Sequence, residues 1–148
     1  MIPIRSAIVS AVLLSEIEGE PKLLLMKRVK GDFWCHVAGK LEIGETAGQA
    51  ILREIQEETA IQVQQLFSAD YLEQFYEPSL NVIELIPAFV GFCNENQAVL
   101  LNHEHTQYQW CSLSEAKALV VFSNQKKLYD FVWENFVLQQ PIQQLRII

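Results

Sequence analysis

The stretch GKLEIGETAGQAILREIQEETAI, running from Gly39 to Ile61, decides how this chain is read. Thr46 followed three residues later by Gln49 is a capping-box pattern and predicts a helix over Thr46 to Thr59. Ala47, Ala50, Ile51 and Ile55 recur at the helical period and give that helix an apolar stripe. Glu54, Glu57 and Glu58 stand at i, i+3 and i+4, so three carboxylates project from one face, one turn apart. Like charges so placed destabilise a helix by ~0.2 to 0.5 kcal/mol per pair unless water, a basic partner or a cation relieves them.

An acidic run of this kind is most often a solvated surface. Here its surroundings favour a cation instead. The acidic patch adjoins the apolar stripe, and Arg53 is positioned to form a forked pair with Glu57 or with Glu45 across the loop. Gly39 and Gly44, ahead of the helix, permit close backbone approach and carbonyl ligation. Clustered hard oxygen donors suit Mg²⁺ or Mn²⁺, which share their remaining sites with phosphate oxygens.

Outward from this helix the chain reads as strands, then helices. Ile4 to Leu14 is predicted as a largely buried strand, Glu16 to Pro21 as a turn, and Lys22 to Arg28 as the second arm of a hairpin. Phe33 to Ala38 is a short aromatic-led segment. Ile61 to Tyr76 and Leu80 to Phe92 form two further strands around Glu77-Pro78, and Gln107 to Cys111 a short one. Ser112 or Ser114 is positioned to cap a small helix over Glu115 to Val120. Ser123 is read as the cap of a last helix to about Leu138, with Leu128, Phe131, Val132 and Phe136 turned inward. This order predicts a mixed α/β domain, a mixed sheet between helices, spanning residues 1 to 148.

At 148 residues the chain suits one domain with its own core. A net charge of −7 argues against nucleic acid and anionic membrane as partners. It leaves small phosphorylated molecules open, because these arrive partly neutralised by metal. Cys35, Cys93 and Cys111 are widely spaced and odd in number, which suits reduced thiols in a cytoplasm. Ala7 to Leu14, preceded by Arg5, is better read as a strand than as a signal peptide. A homodimer is left open, as is the tail from Pro141 to Ile148, which suits a strand or an interface.

The Gly39 to Ile61 stretch resembles the signature of the Nudix hydrolases. That motif is Gly, five residues, Glu, seven residues, then Arg-Glu, an aliphatic, any residue, Glu-Glu, any residue, Gly and an aliphatic. Gly39, Glu45, Arg53, Glu54, Ile55, Glu57, Glu58 and Ile61 match it. Ala60 stands where the motif has Gly, which costs on the order of 1 kcal/mol if the position is left-handed. A chance match over a chain of this length is on the order of one in a million.

The resemblance implies a Mg²⁺-dependent (or Mn²⁺-dependent) pyrophosphohydrolase acting on a nucleotide or related diphosphate. It implies Glu54, Glu57 and Glu58 as cation ligands with the Gly39 carbonyl, and Glu45 and Arg53 as braces between loop and helix. Glu54, or a carboxylate from elsewhere, would orient or deprotonate the attacking water. Lys40 would contact departing phosphates.

The segment His103 to Trp110 resembles the one that brings many members an additional glutamate, here Glu104. Two histidines at i, i+2 make a poor zinc site, so His103 and His105 are read as loop residues, one of them near phosphate. Tyr108 and Trp110 are read mainly as core, with ring stacking on substrate as the lesser role of either, Tyr108 being the candidate substrate contact. Phe33-Trp34 and Phe122-Ser123-Asn124-Gln125 look like the members that cleave dihydroneopterin triphosphate and (deoxy)nucleoside triphosphates. Dinucleoside polyphosphates or nucleotide sugars are the alternative substrates, and a non-catalytic binding module is the alternative class.

Overall fold

A computed structural model describes residues 1–148. Its strands are β1 (Ile4–Arg5), β2 (Ile8–Ile17), β3 (Glu20–Arg28), β4 (Trp34–Cys35), β5 (Val37–Lys40), β6 (Gln65–Glu77), β7 (Val82–Phe92) and β8 (His105–Cys111). The helices are α1 (Ala47–Thr59), α2 (Leu113–Leu119) and α3 (Ser123–Val132). All eight strands join one mixed sheet. β2 runs parallel to β7 on one side and antiparallel to β3 and β5 on the other. β6 and β8 extend it at the far sides of β7 and β3.

The period-two alternation of β2 and β3 sorts the apolar residues into two cores. Val12, Leu14, Leu23 and Leu25 point to one face, where Ala116, Leu128, Tyr129 and Val132 of α2 and α3 cover them. Val9, Ala11, Leu13, Leu24 and Met26 point to the other, against Ala50, Ile51 and Ile55 of α1. Helices therefore cover both faces, as the element order predicts. No helix is long and apolar enough to cross a membrane.

Several boundaries shift for local reasons. The first strand is interrupted at Ser6–Ala7, which divides β1 from β2. The turn shrinks to Glu18–Gly19, both at positive φ as a two-residue hairpin turn demands, and the strands run on through Glu16 and Pro21. The cap of α3 is Phe122, with no side-chain hydrogen bond, and Ser123 is already helical; the helix closes in a π turn over Trp133–Val137. Leu128, Val132 and Phe136 are buried as expected, but Phe131 is only half-buried, against Tyr71. Tyr129 takes the deep position instead. The tail hydrogen-bonds to Leu66 through Ile147 and Ile148 and bridges Arg146 to Phe67, so it docks on the start of β6.

The capping box of α1 forms as read, with Thr46 and Gln49 each accepting from the other's backbone N–H. Ala60 ends the helix at φ 59°, the left-handed conformation for which glycine is the usual choice.

Candidate active site

A cleft of about 800 Å³ opens on the α3 side of the sheet. Along β2 the inward row changes character, from Leu14 and Val12 in the core to Ser10 and Ile8 in the cleft. The bulge in β6 between Ser68 and Leu72 precedes Glu73, Phe75 and Glu77, which line the cleft wall. β5 contributes Ala38, Gly39 and Lys40, and the start of α3 contributes Ser123, Asn124 and Gln125.

At one end lies the acidic helix. Arg53 clasps Glu45, donating from Nε to Oε2 at 2.8 Å and from a terminal nitrogen to Oε1 at 2.9 Å. It also donates to Glu54 at 2.8 Å, to Glu57 at 3.3 Å and to the Lys40 carbonyl at 2.9 Å. These bonds fasten the loop to the helix, which is the bracing role read from the motif. The guanidinium beside Glu45 holds that carboxyl down at about 2.

Gly39 has a steric reason. A Cβ there would collide with the carboxyl of Glu54, so only glycine lets this carboxylate lie against β5. Burial raises the Glu54 carboxyl despite the pull of Arg53.

Glu58 is almost wholly buried at the cleft edge, and its Oε2 has no hydrogen-bond partner. Burial first, then the charges of Glu54 and Glu104, push its carboxyl up to about 9. Donor atoms of Glu58, Glu104 and His105 lie within 4.8 Å of one another. Such a trio, one of whose carboxylates has an unpartnered oxygen, fits a divalent cation. Glu57 stays exposed on the same helix edge.

His105 departs from its reading as a loop residue. It opens β8, is buried, and brings Nε2 to 3.6 Å from Glu58 Oε1. Burial lowers its pKa, against the opposing pull of the Glu104 charge. Tyr108 stands apart from the site: its side chain is exposed, and it is not among the residues of the cleft wall. Lys40 does line the cleft. The three cysteines are free thiols, each pushed up to about 12 by burial.

At the other end of the cleft stand Phe33 and the Phe122 to Gln125 segment, where the sequence resemblance puts substrate choice, but the polar cluster in the same cleft has no counterpart in the sequence reading. Ser10 of β2 donates to Glu73 Oε2, and His36 Nε2 lies 3.2 Å from the same oxygen. A carboxylate only accepts, so Nε2 carries the proton in that bond. The hydroxyl of Tyr129 sits 2.8 Å from His36 Nδ1. Burial opposes the charge of Glu73, but His36 and Ser10 outweigh it and hold the carboxyl below its ordinary value. These residues come from β2, the β4–β5 junction, β6 and α3. No spacing along the chain connects them. The outer walls are aromatic: Phe33 and Phe122 meet edge to face at 5.9 Å, with Phe75 and Tyr76 also lining the cleft.

Residues 5–131 match the family model for the NUDIX domain, and the chain belongs to that family of hydrolases, which act on phosphoric anhydrides and generally need a divalent metal. Among its relatives, dihydroneopterin triphosphate diphosphatase of Escherichia coli K12 is 33% identical over 74% of this chain and 81% of its own length. Two solved structures share the fold. An Ap4A hydrolase of C. elegans in a binary complex superposes with a TM-score of 0.77 at 22% identity, covering 88% of this chain and 96% of the other. The E. coli dihydroneopterin triphosphate pyrophosphohydrolase does so with a TM-score of 0.74 at 24% identity, covering 88% and 96%.

Proposed function

We propose that this chain hydrolyses a (deoxy)nucleoside or pterin triphosphate to the monophosphate and pyrophosphate. The observation that carries the reading is one cleft with two unlike ends. Buried Glu58, with Glu104 and His105, forms an acidic end that fits cations, and an aromatic compartment of ring-sized walls lies beyond it. The sequence relative named for dihydroneopterin triphosphate supports the same choice.

Glu54, Glu57, Glu58 and Glu104, with the Gly39 carbonyl, would hold the divalent ions, Mg²⁺ or Mn²⁺. When bound, such ions neutralise phosphate charge and activate water. Arg53 holds the loop and helix in register, so that the carboxylates keep their spacing. Lys40, on the cleft wall, offers a cation to the departing phosphates. Glu54 or Glu104 orients the attacking water and takes its proton.

A screen of triphosphates, dinucleoside polyphosphates and nucleotide sugars with Mg²⁺ and with Mn²⁺ tests this. The expected products are pyrophosphate and a monophosphate. Release of a nucleoside triphosphate or a sugar phosphate would transfer the activity to the alternative substrates, for which the fold likeness to the Ap4A hydrolase speaks. No turnover across the panel would favour a binding module.

A further inference from the structure

Two largely enclosed side chains line the inner end of the cleft, each with an oxygen that no protein donor reaches. Glu73 is 7% exposed, and both of its protein hydrogen bonds fall on Oε2. That oxygen is saturated, whereas Oε1 has no protein donor. Gln125 is 8% exposed, lines the same cleft, and its Oε1 is buried without a partner. Gln125 stands one turn before Tyr129 on the same face of α3, and Tyr129 touches His36, which holds Glu73. The two groups therefore belong to one compartment. Leaving a buried acceptor unsatisfied is costly, which applies to Gln125 Oε1; Glu73 Oε1 is not sealed off in this way and is free to accept from a molecule in the cleft. Serine and histidine anchor Glu73 from behind, which fixes the direction of its free oxygen.

We infer that Glu73 and Gln125 read the edge of a 2-amino-4-oxo heterocycle, the edge shared by guanine and pterin. This rests on the triphosphate reading above and specifies its ring. The argument is one of complementarity. A carboxylate oxygen with two free lone pairs accepts and cannot donate, so it selects an edge with two adjacent donors. The ring N–H and the 2-amino group of guanine or pterin provide that pair. In adenine and cytosine the amino group neighbours a ring acceptor, which would face the carboxylate, and in uracil a lone N–H lies between two oxygens. The carboxamide of Gln125 supplies from Nε2, which is not sealed off as its oxygen is, the donor that the 4-oxo oxygen needs; the unpartnered Oε1 is an acceptor and has no part in that contact. The aromatic residues at the cleft mouth then cover the ring faces.

The test begins with wild-type protein and calorimetric binding of guanosine, inosine and adenosine monophosphates, which need no turnover. Inosine lacks only the 2-amino group. Guanosine is expected to bind ~10- to 100-fold tighter than inosine, the scale of one hydrogen bond to a charged group. Glu73→Gln should bring that ratio close to one. Gln125→Ala should weaken guanosine and inosine alike and leave adenosine unchanged, because the oxo group is common to the first two. Equal binding of guanosine and inosine by wild-type protein overturns the inference, as does a Glu73→Gln loss equal for all three nucleotides. If Glu73→Gln does not fold, the wild-type ratio and Gln125→Ala decide. Guanosine selectivity without release of pyrophosphate from GTP or dihydroneopterin triphosphate would sink the catalytic proposal and leave this one standing. Both triphosphates carry the edge, and their relative kcat/KM shows which ring the cleft prefers.

Discussion

The cleft holds a buried glutamate at each end, and the two are in opposite electrostatic situations. Glu58 is packed among other acids, has an oxygen without a partner, and is pushed up to about 9. Glu73 is just as enclosed but is flanked by Ser10 and His36, which hold it below the ordinary carboxylate value. Burial acts on both in the same direction. The neighbours decide the outcome: one carboxylate is set to gain a cation, the other to accept hydrogen bonds from something neutral and flat.

The largest effect that tests this contrast is at the acidic end. Glu54→Gln and Glu57→Gln are each expected to lower kcat by at least ~10²-fold while melting remains cooperative. Loss of the folded state in these variants would assign the carboxylates to structure. Glu58→Gln should show the tension directly. Without metal its Tm at neutral pH should rise, at about 3 °C per kcal/mol relieved, because glutamine enters this site without the proton that a carboxyl raised to about 9 must take up on folding. Added Mg²⁺ should raise the Tm of the wild type and not of this variant; an equal response in both would remove Glu58 from the cation site.

At the other end the sign reverses. The carboxyl of Glu73 is lowered on folding, so its stabilising contribution is complete above the unfolded carboxylate pKa of ~4.3 and is lost as pH falls through the lower folded value. Denaturant unfolding from neutral pH down to that range should show a shallower acid decline for Glu73→Gln than for the wild type. An unchanged acid limb would mean that Ser10 and His36 do not stabilise the charge. The smallest effect lies outside both ends. Ala60→Gly, at φ 59°, should stabilise the protein by about 1 kcal/mol with kcat and nucleotide selectivity unaltered. A change in kcat would couple the helix end to the acidic cluster.

The acidic end was legible because its parts lie on one helix and the loop before it. The capping box, the clasp of Arg53 on Glu45 and the left-handed Ala60 all formed as the local pattern predicts. Glu104 was reached through a motif and does lie beside Glu58. His105 reads as a loop residue in the sequence because a loop and the first residue of an edge strand look alike when the partner strand is out of view. Ser123 was misplaced for a similar reason: a serine ahead of an amphipathic run fits the cap and the first helical turn equally well.

The sequence by itself determined the family, the two-sided mixed sheet and a cluster of carboxylates, since these depend on periodicity and on residues within a few turns of one another. Only the tertiary structure decided which residues line the end of the cleft where the proposal puts the substrate ring. Ser10, His36, Glu73 and the turn of α3 that carries Gln125 and Tyr129 are far apart along the chain, and strand order and the bulge in β6 bring them together. Local patterns encode hydrogen bonding and hydrophobic faces along one element. Which elements become neighbours is settled by burial of both cores at once, and the specificity end of the cleft is a product of that packing.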